Sequence, residues 1–200
     1  MARALPCHGR GWGFESPWLR MKEFQPIEIN RTRNYFKSHK FPIEQASLED
    51  KLVNKKIRYY VLPQSLSPDL PDFAFRMTTG RNPATEGVVG IFGVSETVPS
   101  LLRPYWALHE IIEFTQMGID KKGRCSDAER YVLDLVPENL RKEFIEKRIK
   151  FFEGVVAYFK KELERKTESY TGDDLKEAEA SLLFLQNTQK KELGGQTFED

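Results

Sequence analysis

Three ionisable side chains, His109, Glu110 and Glu113, lie within residues 101–114, a stretch that is otherwise strongly apolar. On a helix, residues four apart project side by side, so His109 and Glu113 would be neighbours. At about 100° per residue, both fall in the middle of the apolar arc and Glu110 falls at its edge. Because an unpaired buried charge is costly, the pair must be hydrogen-bonded, neutralised or bound to a metal ion.

The spacing fits the binding of one divalent metal ion. An imidazole nitrogen of His109 and a carboxylate oxygen of Glu113 can each reach such an ion at roughly 2.0 to 2.2 Å. Glu110 would then face the outer side of the ion, where a bound water could lose a proton to it. The sequence therefore predicts His109 and Glu113 as metal ligands and Glu110 as a catalytic general base.

The string HEIIE at residues 109–113 resembles the His-Glu-x-x-His helix of the zincin metallopeptidases, with glutamate in place of the second histidine. The order of predicted elements over residues 43–135 is also similar: a helix, a small sheet, an apolar strand, the motif helix and further helices. The resemblance implies a metal-dependent hydrolase, with Zn²⁺ as the candidate ion. A His/Glu pair makes the site harder and richer in oxygen than two histidines would.

The resemblance also implies a third ligand on the next helix. Glu129 matches the glutamate ligand found there in some zincins, and Cys125 is a softer option one turn earlier. Each residue has a structural alternative, because Ser126 and Glu129 have the spacing of a capping box and a cysteine is often a small buried core residue. The corresponding alternative for His109 and Glu113 is a hydrogen bond to each other without an ion.

Composition limits the classes of partner. The 200 residues include 31 Lys+Arg and 30 Asp+Glu, a formal net charge of +1 that argues against a surface devoted to polyanions. Residues 31–41 interleave basic and aromatic side chains in the way that single-strand binders do, but an amphipathic segment with inward-facing rings has the same pattern. Nucleic acid is therefore not the expected partner.

Cellular location can also be inferred from the sequence. No apolar run approaches the ~20 residues needed to cross a bilayer, and no apolar region follows the first arginines. Cys7 and Cys125 are the two cysteines, too few for a disulfide scaffold. We expect a cytoplasmic protein with no membrane partner.

The patterns around the motif predict an α+β fold, with a small β-sheet packed on the motif-bearing helix. Three segments rich in β-branched, aromatic or apolar residues predict strands, and the last of these is apolar on both faces and so should lie inside the sheet. The predicted strands are 57–62, 73–78 and 88–94. Helices are predicted over 43–55, over 99–117, and from Gly123 to about Pro137 with Ser126 as its cap.

The C-terminal half is predicted to be helical and to end in a long antiparallel hairpin. Its first helix, about 138–166, has an apolar stripe from Ile145 to Leu163, and its second continues the same spacing from Leu175 to Leu185. The cations of the first helix, Arg148 among them, are expected on a solvated face. The stripe would make a homodimer through these long helices if the second helix does not cover it.

This reading divides the chain into four parts. Residues 1–20 form a leader without regular structure, or follow a start codon placed too early, with Met21 as the alternative start. Residues 21–136 form the α+β domain, 137–190 the hairpin packed on that domain, and 191–200 a frayed tail. The predicted function is a metal-dependent hydrolase. The alternative is a non-catalytic interaction module with a structural His-Glu pair and a hairpin that mediates association.

Overall fold

Four helices and a four-stranded sheet make up most of the part of the chain that the structure describes, so the predicted α+β class is confirmed. The computed structural model describes residues 3–4, 14–15, 38–48, 55–67, 70, 72–81, 88–115, 123–165 and 172–194. In the leader, β1 (Arg3–Ala4) pairs with β2 (Phe14–Glu15), and the other residues of 1–20 lie outside the described residues.

The sheet joins two antiparallel pairs through one parallel pair. Its strands are β3 (Ile43–Leu48), β4 (Lys55–Leu62), β5 (Ala74–Arg81) and β6 (Val88–Ser95), in the order β3-β4-β6-β5. β6 runs parallel to β4 and antiparallel to β5, so its predicted place inside the sheet is confirmed. A short 3₁₀ turn at Gln64–Leu66 follows β4.

The helix predicted over 43–55 is wrong in its described part. Ile43–Leu48 is strand β3, which pairs with β4 in an antiparallel register from Ile43↔Tyr60 to Leu48↔Lys55. That prediction rests on the helix-start signal Ser47-Leu48-Glu49-Asp50. This signal is local, whereas the ladder pairs every residue of Ile43–Leu48 with the neighbouring strand. Tertiary pairing therefore overrides the local preference.

The helices are α1 (Arg103–Thr115), α2 (Arg124–Leu135), α3 (Glu138–Glu164) and α4 (Gly172–Gly194). α1 begins later than predicted because residues 99–102 form a turn in which the Leu102 and Arg103 amides both donate to the Pro99 carbonyl. The cap predicted for α2 is wrong, since Gly123 precedes the helix in a left-handed conformation and Ser126 lies inside it.

The predicted long helical pair is confirmed. α3 and α4 pack together, and most of the α3 stripe is buried against α4 and the end of the sheet. The core residues at this contact are Leu62, Leu70, Phe73, Phe152, Val156, Phe159, Ala178 and Leu185. The homodimer stays a prediction. α4 continues to Gly194, so the expected frayed tail is helical up to that residue, and 195–200 lie outside the described residues.

α1 is enclosed on nearly every side, and this burial creates the site. The helix contacts β4, β5, β6 and α2, and its buried residues are Tyr105, Trp106, Ala107, Leu108, His109, Glu110, Ile112 and Glu113. The Trp106 indole donates a 2.9 Å hydrogen bond to the Asp72 carbonyl, which ties α1 to the segment before β5. Among the described helices, none combines the length and apolarity required to span a membrane.

Candidate metal centre

The predicted motif residues face a second pair of polar residues across the contact between α1 and α2. His109 and Glu113 lie one turn apart on α1, and Cys125 and Glu129 lie one turn apart on α2. All four residues have no exposed surface. Two i, i+4 pairs therefore meet in the interior, where polar groups must satisfy one another or bind an ion.

Three of these residues form a group that can hold a metal ion. The Nε2 atom of His109 lies 3.4 Å from Cys125 Sγ and 3.8 Å from Glu113 Oε2. The candidate ligand atoms of the three residues all lie within 4.8 Å of one another. Ligand atoms at the usual bond lengths of a tetrahedral zinc site are about 3.3 to 3.8 Å apart, so small side-chain shifts would complete a site.

Glu129 lies on the other side of the imidazole from this group. Its Oε2 atom is 3.0 Å from His109 Nδ1, whereas the thiol and Glu113 face Nε2. The structure thus brings Glu129 to the predicted histidine, and Cys125 occupies the third place in the metal group. The capping-box alternative for Glu129 is wrong, since its carboxylate binds His109 and Arg148 across helices.

Arg148, on α3, binds both oxygens of Glu129. Its Nε atom donates to Oε1 at 2.9 Å and to Oε2 at 3.1 Å, and its Nη2 atom donates to Oε2. The guanidinium lies over the rings of Trp106, Phe151 and Phe152, with its central carbon 4.9 to 5.0 Å from their centroids. The prediction that Arg148 faces solvent is wrong, because this residue is fully buried.

The ion pair sets the charge of the Glu129 carboxyl group. Burial alone would raise its pKa, but the Arg148 charge and the hydrogen bonds from His109 and Arg148 outweigh burial and lower the pKa from 4.5 to about 2. Glu129 is therefore a carboxylate at neutral pH.

Glu110, the predicted general base, lies on α1 directly after His109 and has no exposed surface. It is not one of the three residues whose ligand atoms converge. A general base must reach a water molecule or substrate. The burial of Glu110 therefore counts against a catalytic centre unless water or substrate can enter the interior.

α4 covers the thiol side of the group. The Cys125 amide donates a 2.7 Å hydrogen bond to the Glu177 carboxylate. The Ser181 hydroxyl lies 3.9 Å from Cys125 Sγ and 2.9 Å from the Ser126 hydroxyl. No pattern in the sequence connects α4 with α2, since these contacts join residues more than fifty positions apart.

Comparison with known proteins gives no relative on which to base a function. No family model matches the chain, and no curated protein or solved structure matches it. The zincin resemblance stays a prediction.

Proposed function

We propose that His109, Glu113 and Cys125 bind one divalent metal ion and that this ion is the functional centre of the protein. The observation that carries the proposal is the convergence of their ligand atoms within 4.8 Å in the interior. Imidazole and thiolate ligands favour Zn²⁺ over Mg²⁺ or Ca²⁺, which prefer oxygen. Zn²⁺ is therefore the proposed ion.

Three candidate ligands among the residues that the structure describes favour a catalytic centre over a structural one. Structural zinc sites use four protein ligands, whereas catalytic sites use three and leave a position for water or substrate. A zinc ion in such a site lowers the pKa of bound water and polarises a carbonyl or phosphoryl oxygen. The activity that we propose is metal-dependent hydrolysis, with Glu110 accepting a proton during the reaction.

One observation favours a second candidate, the non-catalytic interaction module. His109, Glu110, Glu113 and Cys125 have no exposed surface, and a hydrolase must admit its substrate. Under this candidate the buried group only stabilises the contact between α1 and α2, and the α3–α4 hairpin mediates association with another chain.

The metal proposal is tested by loading the purified full-length chain with Zn²⁺, removing the excess and measuring bound zinc by mass spectrometry. We expect one zinc per chain, and none after Cys125→Ala or Glu113→Gln. His39→Ala is the matched control, because His39 is exposed and is not one of the three residues whose ligand atoms converge. Zinc retained equally by all the variants, or absent from the wild type, would reject the proposal.

Cobalt loading adds a test of the ligand set. A Co²⁺ ion bound by Cys125 should give a sulfur-to-metal charge-transfer band in the near ultraviolet, and Cys125→Ser should remove it. If bound Co²⁺ gives the same spectrum in both chains, the thiol is not a ligand.

Hydrolysis is tested separately on the zinc-loaded chain with a fluorogenic peptide library and a set of activated esters. A catalytic centre predicts turnover that Glu110→Gln abolishes while zinc content is unchanged. Stoichiometric zinc without turnover of either substrate class would instead favour the interaction module.

A further inference from the structure

We infer that Arg148 and Glu129 are positioning residues that keep the His109 proton on Nδ1 and present a bare Nε2 to the metal group. The protonation pattern can be read in the metal-free protein. Only its consequence for metal affinity rests on the proposed function.

The position of the proton follows from one distance. A carboxylate can only accept hydrogen bonds, and Glu129 Oε2 lies 3.0 Å from His109 Nδ1. If Nδ1 carried no proton, its lone pair would lie close to a carboxylate oxygen, and the two would repel each other. A proton on Nδ1 converts this repulsion into an electrostatic attraction between the N–H group and the carboxylate.

Arg148 keeps Glu129 ionised and in place. Its guanidinium is always charged and contacts both carboxylate oxygens, so the carboxylate neither takes up a proton nor rotates freely. The Trp106, Phe151 and Phe152 rings surround the guanidinium and favour the cation over their faces. A lysine at this position could not bind both oxygens with the same planar geometry.

The opposite ring nitrogen faces the metal group. In a neutral imidazole that carries its proton on Nδ1, the lone pair is on Nε2. Nε2 is the atom that lies 3.4 Å from Cys125 Sγ and 3.8 Å from Glu113 Oε2. Metal-binding histidines usually donate their second N–H to a carboxylate or carbonyl, and loss of that partner typically lowers metal affinity 10- to 100-fold.

Each part of this arrangement comes from a different helix. α1 supplies the imidazole, α2 the carboxylate and α3 the guanidinium. The ring orientation therefore depends on how three helices pack, although the metal group itself needs only two of them.

The first experiment determines the ring protonation without any metal. In a full-length His8→Ala/His39→Ala chain, His109 is the only histidine left, so two-bond ¹H–¹⁵N correlations report on it alone. At mildly alkaline pH we expect the pattern of a neutral ring with the proton on Nδ1. A proton on Nε2, or on both nitrogens, would overturn the inference.

The second experiment measures zinc affinity by competition with a chromogenic chelator. We expect Arg148→Met and Glu129→Gln to weaken binding 10- to 100-fold, and Arg148→Lys to restore part of it. Arg103→Met is the matched control, since Arg103 forms an ion pair with Glu44 away from the group, and it should bind zinc as the wild type does. Circular dichroism establishes which variants are folded.

The two proposals fail in different ways. If the wild type binds zinc and the folded Arg148 and Glu129 variants bind it equally well, the positioning role is overturned and the metal site stands. If the wild type binds no zinc, the proposed function fails and the ring protonation alone decides the inference. Should both variants unfold, the ring protonation measured in the His8→Ala/His39→Ala chain decides the inference.

Discussion

Two Glu–Arg pairs in this protein differ chiefly in their access to water. Glu129 and Arg148 pair in the interior, where neither side chain has any exposed surface. Glu44 and Arg103 pair beside the sheet, where the Glu44 side chain is 34% exposed and the Arg103 side chain is 16% exposed.

The outer pair, like the inner one, includes a third polar partner. The Tyr59 hydroxyl donates a 2.9 Å hydrogen bond to Glu44, in the way that His109 approaches Glu129. Burial, and then Glu44, raise the pKa of Tyr59 above its usual value. The chemical pattern of the two clusters is therefore similar, and water access should decide how much each contributes to stability.

Loss of one partner has different consequences at the two places. Near the surface, water replaces a missing partner, and such pairs contribute about 0 to 1 kcal/mol. In the interior, removal of one partner leaves the other charge unpaired, which typically costs about 3 to 5 kcal/mol. Removal of one partner from the inner pair should therefore be much more costly than removal of one partner from the outer pair.

The largest expected effect is that of Arg148→Met. We expect it to lower the free energy of unfolding by about 3 to 5 kcal/mol, because the Glu129 carboxylate would remain buried without its cation. Arg103→Met, the matched change in the outer pair, should cost about 1 kcal/mol or less. Urea unfolding followed by circular dichroism measures both, and equal losses would contradict the comparison.

The next effect is the stabilisation by bound zinc. At a free zinc concentration 100 times the dissociation constant, the ion should stabilise the wild type by about 2.7 kcal/mol. Arg103→Met should keep this gain and Cys125→Ala should lose it, since only the latter removes a proposed ligand. Thermal unfolding at a series of zinc concentrations checks the prediction, and an equal gain in both variants would contradict it.

Acid should weaken the inner cluster through Glu129. The pKa of this group is lowered to about 2 by folding, so its contribution to stability is fully present above its ordinary pKa of 4.5 and is lost as the pH falls towards 2. Glu129→Gln should flatten the pH dependence of the free energy of unfolding in this range, and Glu44→Gln should leave that dependence in place. Urea unfolding at several pH values measures this dependence. A pH dependence that Glu44→Gln removes and Glu129→Gln keeps would contradict the prediction.

The smallest effect concerns Gly123, the residue directly before the helix that carries Glu129. Gly123 has a φ of +75°, and a Cβ there would meet nothing within 4 Å, so Gly123→Ala should cost about 1 kcal/mol through backbone strain alone. Gly172→Ala, where a Cβ also meets nothing, is the control and should be neutral or slightly stabilising. Similar destabilisation by both changes would exclude backbone strain as the cause.

Much of the fold follows from local pattern, whereas β3 does not. Strands β4 and β6 and the two long helices have periodicities or apolar runs that extend over most of their length. Ile43–Leu48 carries a helix-start signal at its end, and only its pairing with β4 makes it a strand. A pairing partner elsewhere in the chain is not visible in the pattern of a segment.

Only the part of the site that lies on one helix could be predicted, because contacts between helices are likewise not visible in the pattern of a segment. The adjacency of His109 and Glu113 follows from their spacing on one helix, and that was enough to propose a metal site. Which of Cys125 and Glu129 faces which ring nitrogen depends on how α1 and α2 cross. Arg148 has charged neighbours in the sequence, which suggests a solvated face. Its spacing of four from both Phe144 and Phe152, which are buried, is the signal that could have predicted its burial.

The hydrogen bond from the Cys125 amide to Glu177 joins residues 52 positions apart, so α4 must be present for it to form. During synthesis, the candidate ligands leave the ribosome well before the helix that covers them. For that interval the Cys125 thiol should be more accessible to ions and oxidants than it is in the folded chain, where α4 covers it. A chain ended at residue 171 should accordingly react faster with an alkylating reagent at Cys125 than the complete chain does.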